Sequence, residues 1–125
     1  MERGYKRKVR VVFVASGSLR RAQAAAEFAT AGGWMEARAC CLPSMMAASG
    51  QTAQEPPWRW ADLVVALDRG ACQALPPLPD AVQVKCYDFP EPADEAGWPV
   101  LWDALRRRVE GMAAGLAMMQ RAAQQ

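Results

Sequence analysis

A short apolar strand, a loop of small and polar residues and an alanine-rich helix follow one another without a break, and they constrain this chain more than any other feature. The apolar run is Val11-Val12-Phe13-Val14, within a strand expected over residues 9 to 14. The loop is Ala15-Ser16-Gly17-Ser18-Leu19-Arg20-Arg21, and the helical segment starts near Ala22. This order aims several backbone N–H groups and a helix N-terminus at one point, and such a point attracts anions. Gly17 gives the loop backbone freedom. Arg21 lies where its guanidinium can close the ring with a bidentate grip on an oxyanion. Ala15, the first loop position, has no reactive group.

The remaining segments read as support for that loop. Ala22 to Ala31 are mostly strong helix formers, and Gly32-Gly33 ends the helix. Met35 to Cys41 reads as a second strand, Trp60 to Leu67 as a third and Ala81 to Tyr87 as a fourth. Leu42 to Pro57 is rich in Ser, Ala, Gly, Gln and Pro, and is expected to be a long loop with one helical turn around Ser44 to Ala48. Asp68 to Gly70 closes the third strand, and Ala71 to Leu75 allows a short helix before Pro76-Pro77. Asp88 to Gly97 (DFPEPADEAG) is an acidic, proline-containing loop. From Val100 to about Ala122, Leu101, Leu105, Val109, Met112, Leu116 and Met119 recur at steps of three and four, which predicts a long amphipathic helix.

Strands alternating with helices predict a parallel sheet with right-handed crossovers. Ligands of such sheets bind outside the carboxyl ends of the strands. Residues 15–21 and 88–94 are therefore expected to face one crevice. The expected organisation is a basic tail over residues 1–8 and a single domain over 9–122, of a size that sustains one core.

Composition excludes several classes of function. The chain has no histidine, which removes histidine base catalysis and the commonest metal ligand. A net charge of +2 is too small to imply nucleic-acid binding. No apolar run approaches the roughly 20 residues of a membrane span, and the basic N-terminus leads into only a short apolar stretch, so no signal peptide is read. The expected location is the cytoplasm. Cys40, Cys41, Cys72 and Cys86 show no C-x-x-C spacing and are expected to be reduced, mostly buried thiols. No metal and no cofactor is expected.

With these residues in view, the first segment resembles the phosphate-binding loop of the low-molecular-weight protein tyrosine phosphatases, whose signature is C-x5-R-S after the first strand. WADLVVALDRG resembles that family's third-strand segment, and DFPEP resembles its general-acid loop, D-x-P-D-P. The resemblance covers residues 9 to 115 in family order. It implies a flavodoxin-like three-layer α/β/α fold with a four-stranded parallel sheet in strand order 2-1-3-4.

Transferred residue by residue, the resemblance carries the fold and little of the chemistry. The family's nucleophilic cysteine falls on Ala15, and a methyl group forms no phosphocysteine. The following positions map to Ser16, Gly17, Ser18 and Leu19, with Ser18 in place of the family's bracing asparagine. Arg20 either points outward or adds charge at the mouth of the site. Arg21 is the family's arginine. Ala22 replaces the serine that supports the thiolate. The general acid falls on Glu91, one methylene longer than aspartate. Loss of nucleophile, hydroxyl and original acid together favours natural loss of catalysis over a single engineered substitution. Cys40 or Cys41 near the end of the second strand is a packed thiol rather than a substitute nucleophile. Trp58 is the one aromatic considered for recognition.

The leading expectation is a catalytically inactive phosphatase-like protein. Its loop of Ser16, Gly17, Ser18, Leu19, Arg20, Arg21 and Ala22 would hold phosphate, sulfate, a similar oxyanion or a phosphorylated protein. The alternative is an active phosphatase or arsenate-reductase-like enzyme with altered catalytic residues. No nucleic acid and no membrane is expected as a partner. The long helix leaves a monomer or a weak homodimer open.

Overall fold

The computed structural model describes residues 8–33, 35–42 and 58–124. The basic tail up to residue 7 and the expected long loop from residue 43 to 57, with its helical turn at Ser44 to Ala48, lie outside the described residues. Four strands, β1 (Val9–Ser16), β2 (Met35–Leu42), β3 (Leu63–Ala66) and β4 (Gln83–Cys86), form one parallel sheet in the order β2-β1-β3-β4. Among the described residues, three helices accompany it: α1 (Arg20–Ala31), α2 (Arg69–Ala74) and α3 (Trp98–Gln124). This is the three-layer flavodoxin-like arrangement.

Alternation along β1 explains the layers. Val11, Phe13 and Ala15 point to one face, where with Leu63, Val65 and Leu67 they meet Ala22, Ala25 and Ala29 of α1 and Leu105, Val109 and Met112 of α3. Val12 and Val14 point to the other face, with Val64, Ala66 and Ala71 of α2. Val11 to Ala15 are completely buried because β1 is paired on both sides and covered on both faces. The alanines of α1 let the helix approach the sheet closely. Each fully buried valine or leucine contributes about 1.5–3 kcal/mol.

Several element boundaries differ from the sequence reading, each for a local reason. β3 starts at Leu63 rather than Trp60, because Trp58 to Trp60 form a turn in which the Ala61 N–H bonds the Trp58 carbonyl at 3.3 Å. β4 is shortened to Gln83–Cys86 by a turn in which Val82 N–H reaches the Pro79 carbonyl at 3.0 Å. β1 and β2 run on together to Ser16 and Leu42, which lie opposite one another. α2 starts at Arg69, because the Asp68 side chain caps it by accepting from the Ala71 N–H at 2.7 Å. α3 starts at Trp98, after a short 3-10 turn over Glu95–Gly97 capped by Asp94. Pro99 fits the first turn of α3, where no amide donor is needed. Of the predicted α3 ladder, Leu101, Leu105, Val109 and Met112 are buried, and Leu116 is partly so. The Met119 side chain lies outside the described residues.

One expectation about the cysteines is overturned. Cys72 of α2 and Cys86 of β4 form a disulfide with their Cα atoms 5.9 Å apart. The topology produces this. β4 runs parallel to β3 with Cys86 opposite Ala66, and α2 leaves β3 within a few residues and folds back on the face to which Ala66 points. Spacing of 14 residues gave no motif. Cys40 and Cys41 are free and buried, as expected. Burial pushes the Cys40 thiol pKa up, and the neighbouring Cys41 adds to this.

Candidate functional site

The loop after β1 and the acidic segment after β4 do meet. Three side chains connect them. Arg21 donates from Nη1 to the Phe89 carbonyl at 2.6 Å, Ser18 Oγ donates to Glu91 Oε1 at 3.2 Å, and Arg20 Nη1 lies 3.5 Å from Glu95 Oε2. The parallel sheet delivers both segments to the carboxyl end of the strands, as its topology requires. β4 hands over to the loop through two further ladder bonds, Tyr87 N–H to the Ala66 carbonyl and Phe89 N–H to the Leu67 carbonyl.

Arg21 is the centre of this arrangement, but its terminal nitrogens face inward. Its side chain is 2 % exposed. Nη1 also forms an ion pair with Asp68 Oδ2 at 2.9 Å, and Nη2 donates to the Ser16 carbonyl at 2.6 Å. Glu91 Oε1 approaches Nη2 at 3.8 Å. A guanidinium sealed from water needs such partners. Both terminal nitrogens of Arg21, expected at the anion loop, are held by protein groups in this structure. Its Nε is different: buried, and without a hydrogen-bond partner.

Asp68 is the residue that sequence reasoning missed. It was legible only as the acidic end of a strand. In the structure its carboxylate receives the Ser16 N–H at 3.0 Å, the Ser16 hydroxyl at 2.7 Å, the Ala71 N–H and Arg21. Burial alone pushes its pKa up, but the Ser16 and Ala71 amides, the Ser16 hydroxyl and Arg21 together outweigh that and hold it below the ordinary carboxylate value. Gly70 is required beside this cluster: an added Cβ would lie 2.9 Å from Ser16 Oγ.

The other loop positions are placed as follows. Ala15 is fully buried in the core beneath α1 and α3. Gly17 has φ +85°, the left-handed region that favours glycine. The Ser18 N–H bonds the Ser16 carbonyl at 3.0 Å, so this amide does not point into a common cradle. Leu19 is the N-cap of α1 and offers no side-chain cap. The first N–H groups of α1, Arg20 to Ala22, thus lack partners within the helix. Arg20 stacks over Trp98 at 4.0 Å, with Trp102 at 5.7 Å, so it is held on α3 rather than free in solvent. Ala22 is buried. Trp58 packs with Trp60 against the α2 face of the core, where it has a structural role.

Solved structures that share this architecture include two arsenate reductases. The first is an arsenate reductase in its reduced state, with a TM-score of 0.59 and 21 % identity over 86 % of this chain and 98 % of the other. The fold is that of the arsenate reductases. A thioredoxin-dependent arsenate reductase from Corynebacterium glutamicum also superposes, with a TM-score of 0.57 and 13 % identity over 93 % of this chain. The present chain spans 63 % of that longer protein. No family model matches the sequence, and no curated protein matches it. This shared fold agrees with the fold that the strand–loop–helix resemblance implies. Within it, this chain presents Ala15 at the end of β1, Arg21 clamped to Asp68, and a disulfide from α2 to β4. No group of three Cys, Asp or Glu able to hold a metal ion occurs among the described residues. No helix among them is long and apolar enough to cross a membrane.

Proposed function

We propose that this chain is an arsenate-reductase-like enzyme with altered chemistry, in which a tetrahedral oxyanion meets the loop of residues 16–22 and a cysteine pair supplies the electrons. One observation carries this reading. Cys72 and Cys86 are joined, and Cys72 lies in the helix whose N-cap, Asp68, holds Arg21. Disulfides that form and break serve redox chemistry. The names of the two similar structures support the same direction. The uncapped N-terminus of α1 and the unpartnered Nε of Arg21 are donors suited to an oxyanion. Glu91, bonded to Ser18 and half-exposed where Asp68 is sealed, is the carboxyl group available for proton transfer.

The electron balance is simple. Two thiols become one disulfide, arsenic(V) becomes arsenic(III), and one arsenate oxygen leaves as water with the two thiol protons. Ala15 takes no part, so the first bond to arsenic forms from a Cys72 or Cys86 thiolate. The test starts from protein reduced with dithiothreitol and then freed of it. Addition of arsenate is expected to consume two thiols per arsenite formed, and Cys72→Ser is expected to abolish this. Thiol counts that stay constant in arsenate overturn the reading.

A second reading is favoured by Ala15, which offers no nucleophile at the end of β1. The loop holds phosphate, sulfate or a phosphorylated protein and does no chemistry. Saturable phosphate binding at residues 16–22, together with an inert thiol pair, selects it over the first.

A further inference from the structure

Among the described residues, a cluster of positive charge lies at the outer edge of the sheet, away from the loop. A cavity of about 250 Å³ lies between β4 and α3, lined by Lys85, Tyr87, Arg107, Arg108, Gly111 and Met112. Among the described residues, three cations and no carboxylate line it. Arg107 is paired with Asp103 at 3.2 Å, and Asp103 lies outside the cavity and is shared with Arg106. Lys85 and Arg108 form no ion pair among the described residues. Arg21, by contrast, already has Asp68 and Glu91.

The geometry of the cavity orders its charges. Arg108 lies over the Tyr87 ring with its guanidinium carbon 4.6 Å from the centroid. Stacking fixes the plane of an arginine and leaves its N–H edge available for a bidentate contact. Lys85 is two residues before Tyr87, so strand alternation puts both on the α3 face of β4. Gly111 opens the wall. Glycine weakens a helix relative to alanine, yet a Cβ here would meet nothing within 4 Å. The space it leaves belongs to the cavity.

We propose that this cavity binds the phosphate group of a small phosphorylated molecule. A phosphomonoester carries nearly two negative charges near pH 7 and offers three acceptor oxygens, which matches Lys85, Arg108 and Arg107 around one space. The remaining volume takes a small organic residue against Tyr87 and Met112. The site is separate from the loop of residues 16–22 and does not depend on the redox reading.

The test is titration of isotopically labelled, full-length protein with phenyl phosphate and with inorganic phosphate, followed by amide chemical shifts at constant ionic strength. Saturable shifts at Lys85, Tyr87, Arg108 and Gly111 are expected, with phenyl phosphate binding the tighter of the two. Arg108→Ala is expected to weaken binding at least tenfold. Gly111→Leu keeps every charge and favours the helix, but fills the cavity, and is expected to abolish the shifts. Shifts confined to residues 16–22 overturn the proposal. So does unchanged binding in Gly111→Leu, or a response that sodium chloride of equal ionic strength reproduces.

Discussion

Arg21 and Asp68 form an ion pair at 2.9 Å with side chains only 2 % and 9 % exposed. The pair joins three elements, because Asp68 also holds the end of β1 through Ser16 and the start of α2 through Ala71. Removing one partner of a buried pair leaves an uncompensated charge and costs about 3–5 kcal/mol. Asp68→Asn keeps a capping side chain but not the charge, and is expected to lose most of that amount. Ser16→Ala removes one hydroxyl bond and is expected to lose only about 1 kcal/mol. Urea denaturation of both variants decides; near-equal losses would mean that Glu91 compensates Arg21.

The same carboxylate predicts an acid limb of stability. Its pKa is lowered in the folded protein, so the unfolded chain takes up the proton first. The stabilising contribution is fully present above the ordinary carboxylate range, near pH 4. It declines as the pH falls through that range towards the lower folded value. Thermal melts between pH 6 and 2 are expected to show this decline, and a shallower one in Asp68→Asn.

The Cys72–Cys86 link closes a loop with a sequence separation of 14. In the chain-entropy account a loop of this size contributes about 3 kcal/mol. Dithiothreitol is expected to lower the melting temperature on the order of 10 °C. Cys86→Ser is expected to melt at the reduced protein's temperature and to ignore dithiothreitol. A melting temperature that is the same with and without reductant would show that the link carries no stability.

Restoring a thiol at the end of β1 is expected not to restore phosphatase chemistry. Ala15 is fully buried, Ala22 offers no hydroxyl to steady a thiolate, and both terminal nitrogens of Arg21 are engaged. Ala15→Cys adds a sulfur to a filled core, at a cost of about 1–3 kcal/mol. The prediction is no vanadate-sensitive hydrolysis of p-nitrophenyl phosphate. Robust turnover would show that the loop rearranges around a nucleophile.

The fold was legible because the information is local and periodic. The β-branched run Val11 to Val14, the alanines of α1 and the three-four spacing of Leu101, Leu105, Val109 and Met112 each declare one buried face. The meeting of the two loops followed from parallel topology. What was not legible depends on contacts distant in sequence. Asp68 lies 52 residues from Ser16, and nothing near it indicates that it accepts four donors. The disulfide needed the register of β4 on β3 before Cys86 could be matched with Cys72. The direction of the Arg21 guanidinium needed the Phe89 carbonyl. A sequence shows that a residue type is retained, not which partner uses its hydrogens.

β4 ends the sheet, is four residues long and is exposed throughout. Its outer backbone groups are a template on which another extended chain can pair. Short length and a lysine in the strand are devices that discourage such pairing, and here the lysine is Lys85. Neutral replacements of Lys85 therefore risk self-association through strand pairing, with solubility falling as protein concentration rises. The side chain that draws an anion towards the cavity also keeps this edge from recruiting its own kind.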